Sequence, residues 1–359
     1  YASMSERTNA ANERFEQRPH YGTGGSATHW ALENLVAEVE GGTRCQIVST
    51  GLAAVTVPLL AYTKAGDHVL MPDSCYGPAR GFCDNFLSKM GIATTYYDPT
   101  ITGAAIEALF QPNTTVLYLE SPGSHTFEVQ DVPALSAVAK KKGAKVLMDN
   151  TWGIHHFQPF KHGVDVSIQA LTKYVVGHSD VLLGSITVAA REEWERVKAT
   201  SNILGQYASP DDCWLALRGA RTMGVRMDRQ EKSAIEVAAW LRGKPEVKSV
   251  LHPALPGAPG HEIWKRDFTG ACSLFGVVFR DDISRESVHA MAEALQLFGK
   301  GASWGGFESL ALPTGGSITR TAGSGQFGGE MMRLHIGLED VDDLKADLEQ
   351  GLVVLNARR

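Results

Sequence analysis

Two stretches carry the reading of the fold: Lys145-Val146-Leu147-Met148-Asp149-Asn150-Thr151-Trp152 and Ser167-Ile168-Gln169-Ala170-Leu171-Thr172-Lys173-Tyr174-Val175-Val176-Gly177-His178-Ser179-Asp180. They belong to two short strand-like runs, Lys145–Asp149 and Val166–Ala170, the second of which begins one residue before its stretch. The runs are continuous and do not alternate apolar with polar, as expected of strands covered on both faces. Working outward, similar runs occur at Cys45–Ser49, His68–Met71, Ala93–Tyr97, Thr115–Glu120 and Ser185–Ala189. Helical stretches lie between several of them: Leu52–Ala65, Gly103–Phe110 and Val132–Lys142. That alternation is the pattern of βαβ units and predicts an α/β fold on a mostly parallel sheet. Beyond Arg221 the text changes to a long amphipathic stretch, Asp228–Arg242, and then mixed pieces, which predicts a smaller C-terminal α+β domain. The polar segment Tyr1–Ser26 reads as an irregular arm. The expected division is an arm over 1–26, a large domain over 27–221 and a C-terminal domain over 222–359. Flexible loops are expected at Pro253–Gly260 and Pro313–Gly329, where Gly and Pro are dense.

The 359 residues suffice for two domains with separate cores. With 43% hydrophobic and 21% charged residues of both signs, the composition is that of a soluble globular protein. A net charge of −6 and a pI near 6.1 argue against a nucleic-acid footprint. The five cysteines are scattered and form no CxxC pair, which predicts idle thiols in a reducing cytoplasm and no metal site. No apolar run approaches the roughly 20 residues needed to span a bilayer, and no charged-then-apolar leader opens the chain. With Tyr1 first, the sequence reads as beginning inside a longer product.

In an open parallel sheet, ligands collect at the carboxyl ends of the strands. Three segments put suitable residues there. Ser49-Thr50-Gly51-Leu52-Ala53-Ala54 is a strand end, a glycine turn and a helix start, whose N–H groups suit an anion such as phosphate; it is equally an ordinary structural turn. The run ending in Asp149 puts a carboxylate, or simply a helix N-cap, at the rim of a cleft. Lys173 sits just after a strand on a segment that looks buried, where an ammonium is costly unless it has a task. Together an amine, a carboxylate and an anion cradle describe the needs of pyridoxal 5'-phosphate: a lysine for the Schiff base, an acid to keep the pyridine nitrogen protonated, and a phosphate site.

The chain resembles the fold type I, pyridoxal-phosphate-dependent enzymes of Cys/Met metabolism, and among them the bacterial cystathionine β-lyases. The resemblance runs over nearly the whole length. It is carried by Gly66-Asp67-His68-Val69-Leu70-Met71, Leu119-Glu120-Ser121-Pro122-Gly123-Ser124, Asp149-Asn150-Thr151-Trp152 and Ala170-Leu171-Thr172-Lys173-Tyr174. Downstream it continues in His252-Pro253-Ala254-Leu255-Pro256-Gly257, Ser303-Trp304-Gly305-Gly306-Phe307-Glu308-Ser309 and Arg333-Leu334-His335-Ile336-Gly337-Leu338-Glu339-Asp340.

The resemblance implies that Lys173 binds the cofactor and then moves protons, while Asp149 pairs with the pyridinium nitrogen. It implies that Gly51 and Leu52 offer backbone N–H groups to the phosphate and Thr172 its hydroxyl. Tyr76, in Ser74-Cys75-Tyr76-Gly77-Pro78, would stack on the ring and assist the incoming amine. Arg333 would grip the substrate α-carboxylate with a planar fork that lysine cannot match, and Ser303 and Trp304 would line the same site. Tyr21 would reach the phosphate of a neighbouring subunit, with Thr23 beside it. The family arrangement therefore implies at least a homodimer, and by family habit a homotetramer. His178 reads as structural and Asp342-Asp343 as a solvated face.

The pattern breaks in places. Where the family runs Tyr-Gly-Arg-Arg-Gly, this chain reads Tyr21-Gly22-Thr23-Gly24-Gly25, so both arginines are missing. His20 replaces an aromatic, Gly81 an acidic residue and Ala302 a tyrosine. Several of these positions hold the far end of cystathionine in the lyases. A charge-assisted contact contributes about 1.5–3 kcal/mol, so two losses would lower cystathionine turnover about 10²-fold or more. The Thr23–Gly25 backbone would then serve the phosphate as an N–H nest. The expected activity is a carbon–sulfur β-lyase acting on a small amino-acid substrate, with S-linked groups bulkier or less charged than that of cystathionine. A γ-lyase, a γ-synthase, an amino-acid racemase, or a cofactor-binding regulator are the alternatives, since the motifs specify the carbanion but not its fate.

Overall fold

The computed structural model describes residues 1–322 and 328–358. Seven strands form the larger sheet: β1 (Arg44–Val48), β2 (His68–Pro72), β3 (Ala93–Tyr97), β4 (Thr114–Glu120), β5 (Lys145–Asp149), β6 (Val166–Gln169) and β7 (Gly184–Val188). Their spatial order is β1-β7-β6-β5-β4-β2-β3. All seven expected strands are present, each shifted by at most a residue or two at its ends. Side chains along β4 and β5 alternate between two cores: Leu117, Leu119, Val146 and Met148 enter one, and Val116, Tyr118 and Leu147 the other. Both faces of the sheet are covered, which is why the runs read as continuously apolar.

The sheet is parallel from β3 to β6, but β7 runs antiparallel to both β6 and β1. Parallel strands need a crossover of a dozen or more residues, usually a helix. The segment from Ala170 to Leu183 contains no helix, so the chain turns back at the carboxyl end of β6. This return carries Lys173.

The C-terminal strands β8 (Val247–Leu251), β9 (Leu274–Phe279), β10 (Leu310–Pro313) and β11 (Met331–His335) form an antiparallel sheet in the order β10-β11-β9-β8. Helices Met223–Arg242, Arg285–Ala294 and Val341–Ala357 pack with it around a third core that includes Val237, Phe275, Val277, Leu334 and Leu348. The long helix begins five residues before the expected Asp228.

The arm differs from its expectation. Met4–Asn12 is a helix, although only Ala10 of it is buried. Its start is set by capping, not by an apolar face: Ser3 accepts from the Glu6 amide at 3.1 Å. A helix stabilised this way leaves no apolar period to read. Of the loop expected over Pro313–Gly329, residues 323–327 lie outside the described residues.

Candidate active site

The site forms where the carboxyl ends of β4, β5 and β6 meet the loops of the second sheet. Glu120 and Asp149 end adjacent strands in register. Asp149 Oδ1 accepts from the Thr151 amide at 3.0 Å, and Thr151 Oγ1 accepts from the Ala170 amide at 3.0 Å. This stitches the end of β5 to the loop carrying Lys173. Burial pushes the Asp149 carboxyl above the usual range, against the opposing pull of the Thr151 hydrogen bonds and Lys173. Behind it, Glu40 Oε1 accepts from Ser167 Oγ at 2.5 Å and Gln169 Nε2 at 2.8 Å, tying helix Ala27–Glu40 to the underside of the site.

Lys173 is held in a tight turn: its amide donates to Ala170 O at 3.0 Å, and its carbonyl accepts from the Gly177 amide at 2.8 Å. Its Nζ donates to Ser303 Oγ at 2.9 Å and stands 5.3 Å from the Trp304 ring. Burial, reinforced by the Arg333 charge and opposed by Asp149, lowers the ammonium from its usual 10.5 to about 8. The neutral amine is therefore accessible near physiological pH. Gly305 lies against the same peptide. Its φ is +81°, and a Cβ there would come 2.7 Å from the Lys173 carbonyl carbon, so only glycine fits.

Arg333, on β11, is buried and donates from Nη2 to Ala302 O at 2.7 Å and Ser303 O at 3.1 Å. Burial lowers it to about 10, still cationic at neutral pH. The 303–306 turn is held from below by His335, whose Nε2 donates to Gly306 O at 3.1 Å while Nδ1 accepts from Ser273 Oγ at 2.8 Å. Burial drives that imidazole down to about 3, so it works as a neutral strut.

Tyr76 follows β2, is half-buried, and donates its amide to Glu120 Oε2 at 2.7 Å. Burial, followed by the Asp149 and Glu120 carboxylates, raises its phenol above 10. Thr50 caps helix Gly51–Tyr62 by accepting from the Ala53 amide at 3.0 Å. The amides of Gly51 and Leu52, in the first turn, have no intrahelical acceptor. A Cβ at Gly51 would meet Ala170 Cβ at 2.7 Å, so the helix start is pressed against the lysine loop.

The structure thus brings together Lys173, Asp149, Tyr76, Ser303, Trp304 and Arg333, with the Gly51–Leu52 helix start packed on the lysine loop. Thr172 is in the same loop, but its hydroxyl is engaged by the Leu183 backbone, accepting from N at 3.0 Å and donating to O at 3.2 Å. Tyr21 and Thr23 are exposed on the arm, and Tyr21 is 74% accessible. His178 bonds the Val176 carbonyl at 2.7 Å, a turn contact. Glu120 and His335 escaped the functional reading. Glu120 was findable, since it ends β4 as Asp149 ends β5.

A part-buried amine with a lowered pKa, a part-buried carboxyl within its electrostatic reach and free amides at a helix start form a donor set that fits pyridoxal phosphate. Known proteins agree. The chain is 43% identical over 357 residues to cystathionine β-lyase MetC of Escherichia coli, covering 98% of this chain and 90% of the relative. It is 40% identical to an L-alanine/L-glutamate racemase of Wolbachia pipientis over 93% of this chain and 83% of the relative. Its fold matches a Xanthomonas oryzae cystathionine γ-synthase structure in complex with cystathionine, with a TM-score of 0.89 and 30% identity over 95% of this chain and 89% of that one. The profile of the Cys/Met metabolism PLP-dependent enzymes matches residues 2–353, and the chain belongs to that family.

Proposed function

We propose that the protein is a carbon–sulfur β-lyase that converts L-cystathionine or a related S-substituted L-cysteine, with water, to a thiol, pyruvate and ammonia. The observation that carries the reading is the Lys173 amine, hydrogen-bonded to Ser303, within electrostatic reach of both Asp149 and Arg333, and lowered to about 8. Gly51, Leu52, Asp149 and Lys173 would hold the cofactor. When bound, pyridoxal phosphate supplies an electron-withdrawing ring that acidifies the substrate Cα–H. Arg333 grips the α-carboxylate and orients Cα toward Lys173. Lys173 takes the Cα proton, and Ser303 keeps Nζ in place for it. Asp149 would pair with the ring nitrogen and keep it protonated. Tyr76, its phenol raised and therefore protonated, would supply an aromatic face for the cofactor. Tyr21 and Thr23 are proposed to act on the neighbouring subunit of a homodimer or larger assembly.

A substrate panel tests the reaction. L-Cystathionine and S-methyl-L-cysteine should release pyruvate together with a thiol. Release of 2-oxobutyrate from L-methionine would mark a γ-lyase. Formation of D-alanine from L-alanine without pyruvate would mark a racemase, the reading that the Wolbachia relative favours.

A pH dependence follows from Lys173. Burial disfavours its ammonium, so the neutral form accumulates as pH rises toward about 8 instead of 10.5. Covalent cofactor uptake by cofactor-free protein needs that neutral amine. Its initial rate, read by absorbance, should climb about tenfold per pH unit up to about pH 8 and level off above. A rate still climbing in the same way at pH 10 would show an ordinary solvated lysine.

A further inference from the structure

Two side chains of the helix Met223–Arg242 reach the backbone on either side of the Lys173 amine. Arg226 Nη2 donates to Tyr174 O at 2.8 Å, one residue beyond Lys173. Gln230 Nε2 donates to Gly306 O at 2.6 Å, in the turn that carries Ser303. Four residues apart, the two lie on one face of the helix, a single turn from each other. Both are buried, Gln230 completely. Arg226 is fixed further by Gly219 O at 3.0 Å and Thr222 Oγ1 at 3.2 Å. A Cβ at Gly177 would collide with its guanidinium, so the arginine packs directly on the end of the Lys173 turn.

A second path joins the same two points. Burial holds the Tyr174 phenol well above its usual range, so it stays protonated. Its oxygen lies 2.8 Å from Ser273 Oγ, which lies 2.8 Å from His335 Nδ1, and His335 Nε2 lies 3.1 Å from Gly306 O. A carbonyl only accepts, so the neutral His335 donates from Nε2, its Nδ1 accepts from Ser273, and Ser273 accepts from Tyr174. The bonds therefore close a ring: helix, Arg226, Tyr174, Ser273, His335, Gly306, Gln230 and back to the helix. All of its side chains are buried. A buried polar network of this kind specifies one arrangement of the segments it joins. The ring is not there for stability alone, because Gln230 Oε1 and Arg226 Nη1 are buried without a partner among the described residues. A buried unpartnered polar atom is a cost that an apolar side chain of the same shape would avoid.

We propose that Gln230 and Arg226 are positioning residues: one turn of this helix sets the spacing between the Lys173 turn and the Ser303 turn, and so keeps Nζ against Ser303 Oγ. The assignment rests on the reading of Lys173 as the cofactor-binding amine and proton carrier.

The experiment follows the initial rate of covalent cofactor uptake against pH in cofactor-free protein. Its midpoint reports the Lys173 amine, which burial and Arg333 lower and Asp149 raises. Gln230→Met keeps the volume and drops the donor. Its midpoint should rise by at least about half a unit, as water gains access to Nζ, which slows uptake about threefold at pH 7. Its kcat for pyruvate release should fall about tenfold or more. Val237→Ala, in the same helix but facing the third core, weakens the packing without touching the ring. It should lower the melting temperature while leaving the midpoint within about 0.2 unit and kcat within about twofold. A Gln230→Met protein in which either quantity matches the unsubstituted protein, or a Val237→Ala protein that shifts as far, overturns the proposal. Should Gln230→Met not fold, Arg226→Lys, which keeps the charge and loses the fork, decides on the same two readouts, and an unmoved midpoint overturns it. If the unsubstituted protein takes up cofactor at Lys173 but releases no pyruvate, the β-lyase reading fails and the midpoint alone decides the positioning. If it takes up none, both fall.

Discussion

Lys173→Ala protein is expected to lose at least about 10³-fold in kcat for pyruvate release, since the lysine is both the attachment point and the proton carrier. The Lys173 charge acts on Asp149, and the neighbouring Arg333 guanidinium stays protonated and so cannot serve as a base. The loop should survive the change, because its turn is made by backbone bonds to Ala170 and Gly177 and by Thr172 to Leu183. The measurement pairs turnover with a borohydride trap. Reduction of the loaded, unsubstituted protein should fix the cofactor mass on the peptide containing position 173, and the alanine variant should show no such tag. A tag elsewhere, or activity within tenfold of the unsubstituted protein, would place the chemistry on another residue.

Asp149→Asn protein should show the second largest effect: kcat lower by about 10²–10³-fold, the cost of removing a preorganised charge from a buried site. The amide can still accept a hydrogen bond from the Thr151 backbone, so the end of β5 keeps its geometry. Stability should move the other way. Burial raises the Asp149 pKa in the folded chain, so ionisation costs stability once pH exceeds the unfolded value, and the cost grows until pH passes the folded value. At neutral pH the cofactor-free asparagine variant should therefore melt at the same temperature or higher. A lower melting temperature together with lower turnover would reveal a structural carboxylate and no special role in catalysis.

How much of this could be read from the residues alone differs from element to element. Most strands of the larger sheet were legible because both of their faces are buried, and burial writes itself as an apolar run; the edge strand β3, only partly buried, was legible from its Thr and Tyr content. Strand direction was not, since periodicity carries no sign: the reversal of β7 follows from the missing crossover helix between Ala170 and Leu183, a tertiary fact. The Met4–Asn12 helix escaped because capping by Ser3, and not an apolar stripe, defines it. Asp149 and Lys173 could be argued as site residues from strand ends and burial, whereas Arg333, Ser303 and Tyr76 drew their roles from the resemblance. They are separated in the chain by up to 257 residues (76 to 333), and only the packing of two sheets shows them converging.

The return between β6 and β7 has a consequence for motion. Both flanking strands are central members of the sheet, each bonded on two sides, so the intervening hairpin is clamped at its feet. Amide protons of Thr172, Val176 and Gly177 should accordingly exchange with deuterium as slowly as those of the interior strands, unlike most surface connections. The nucleophilic side chain then swings on a fixed pivot.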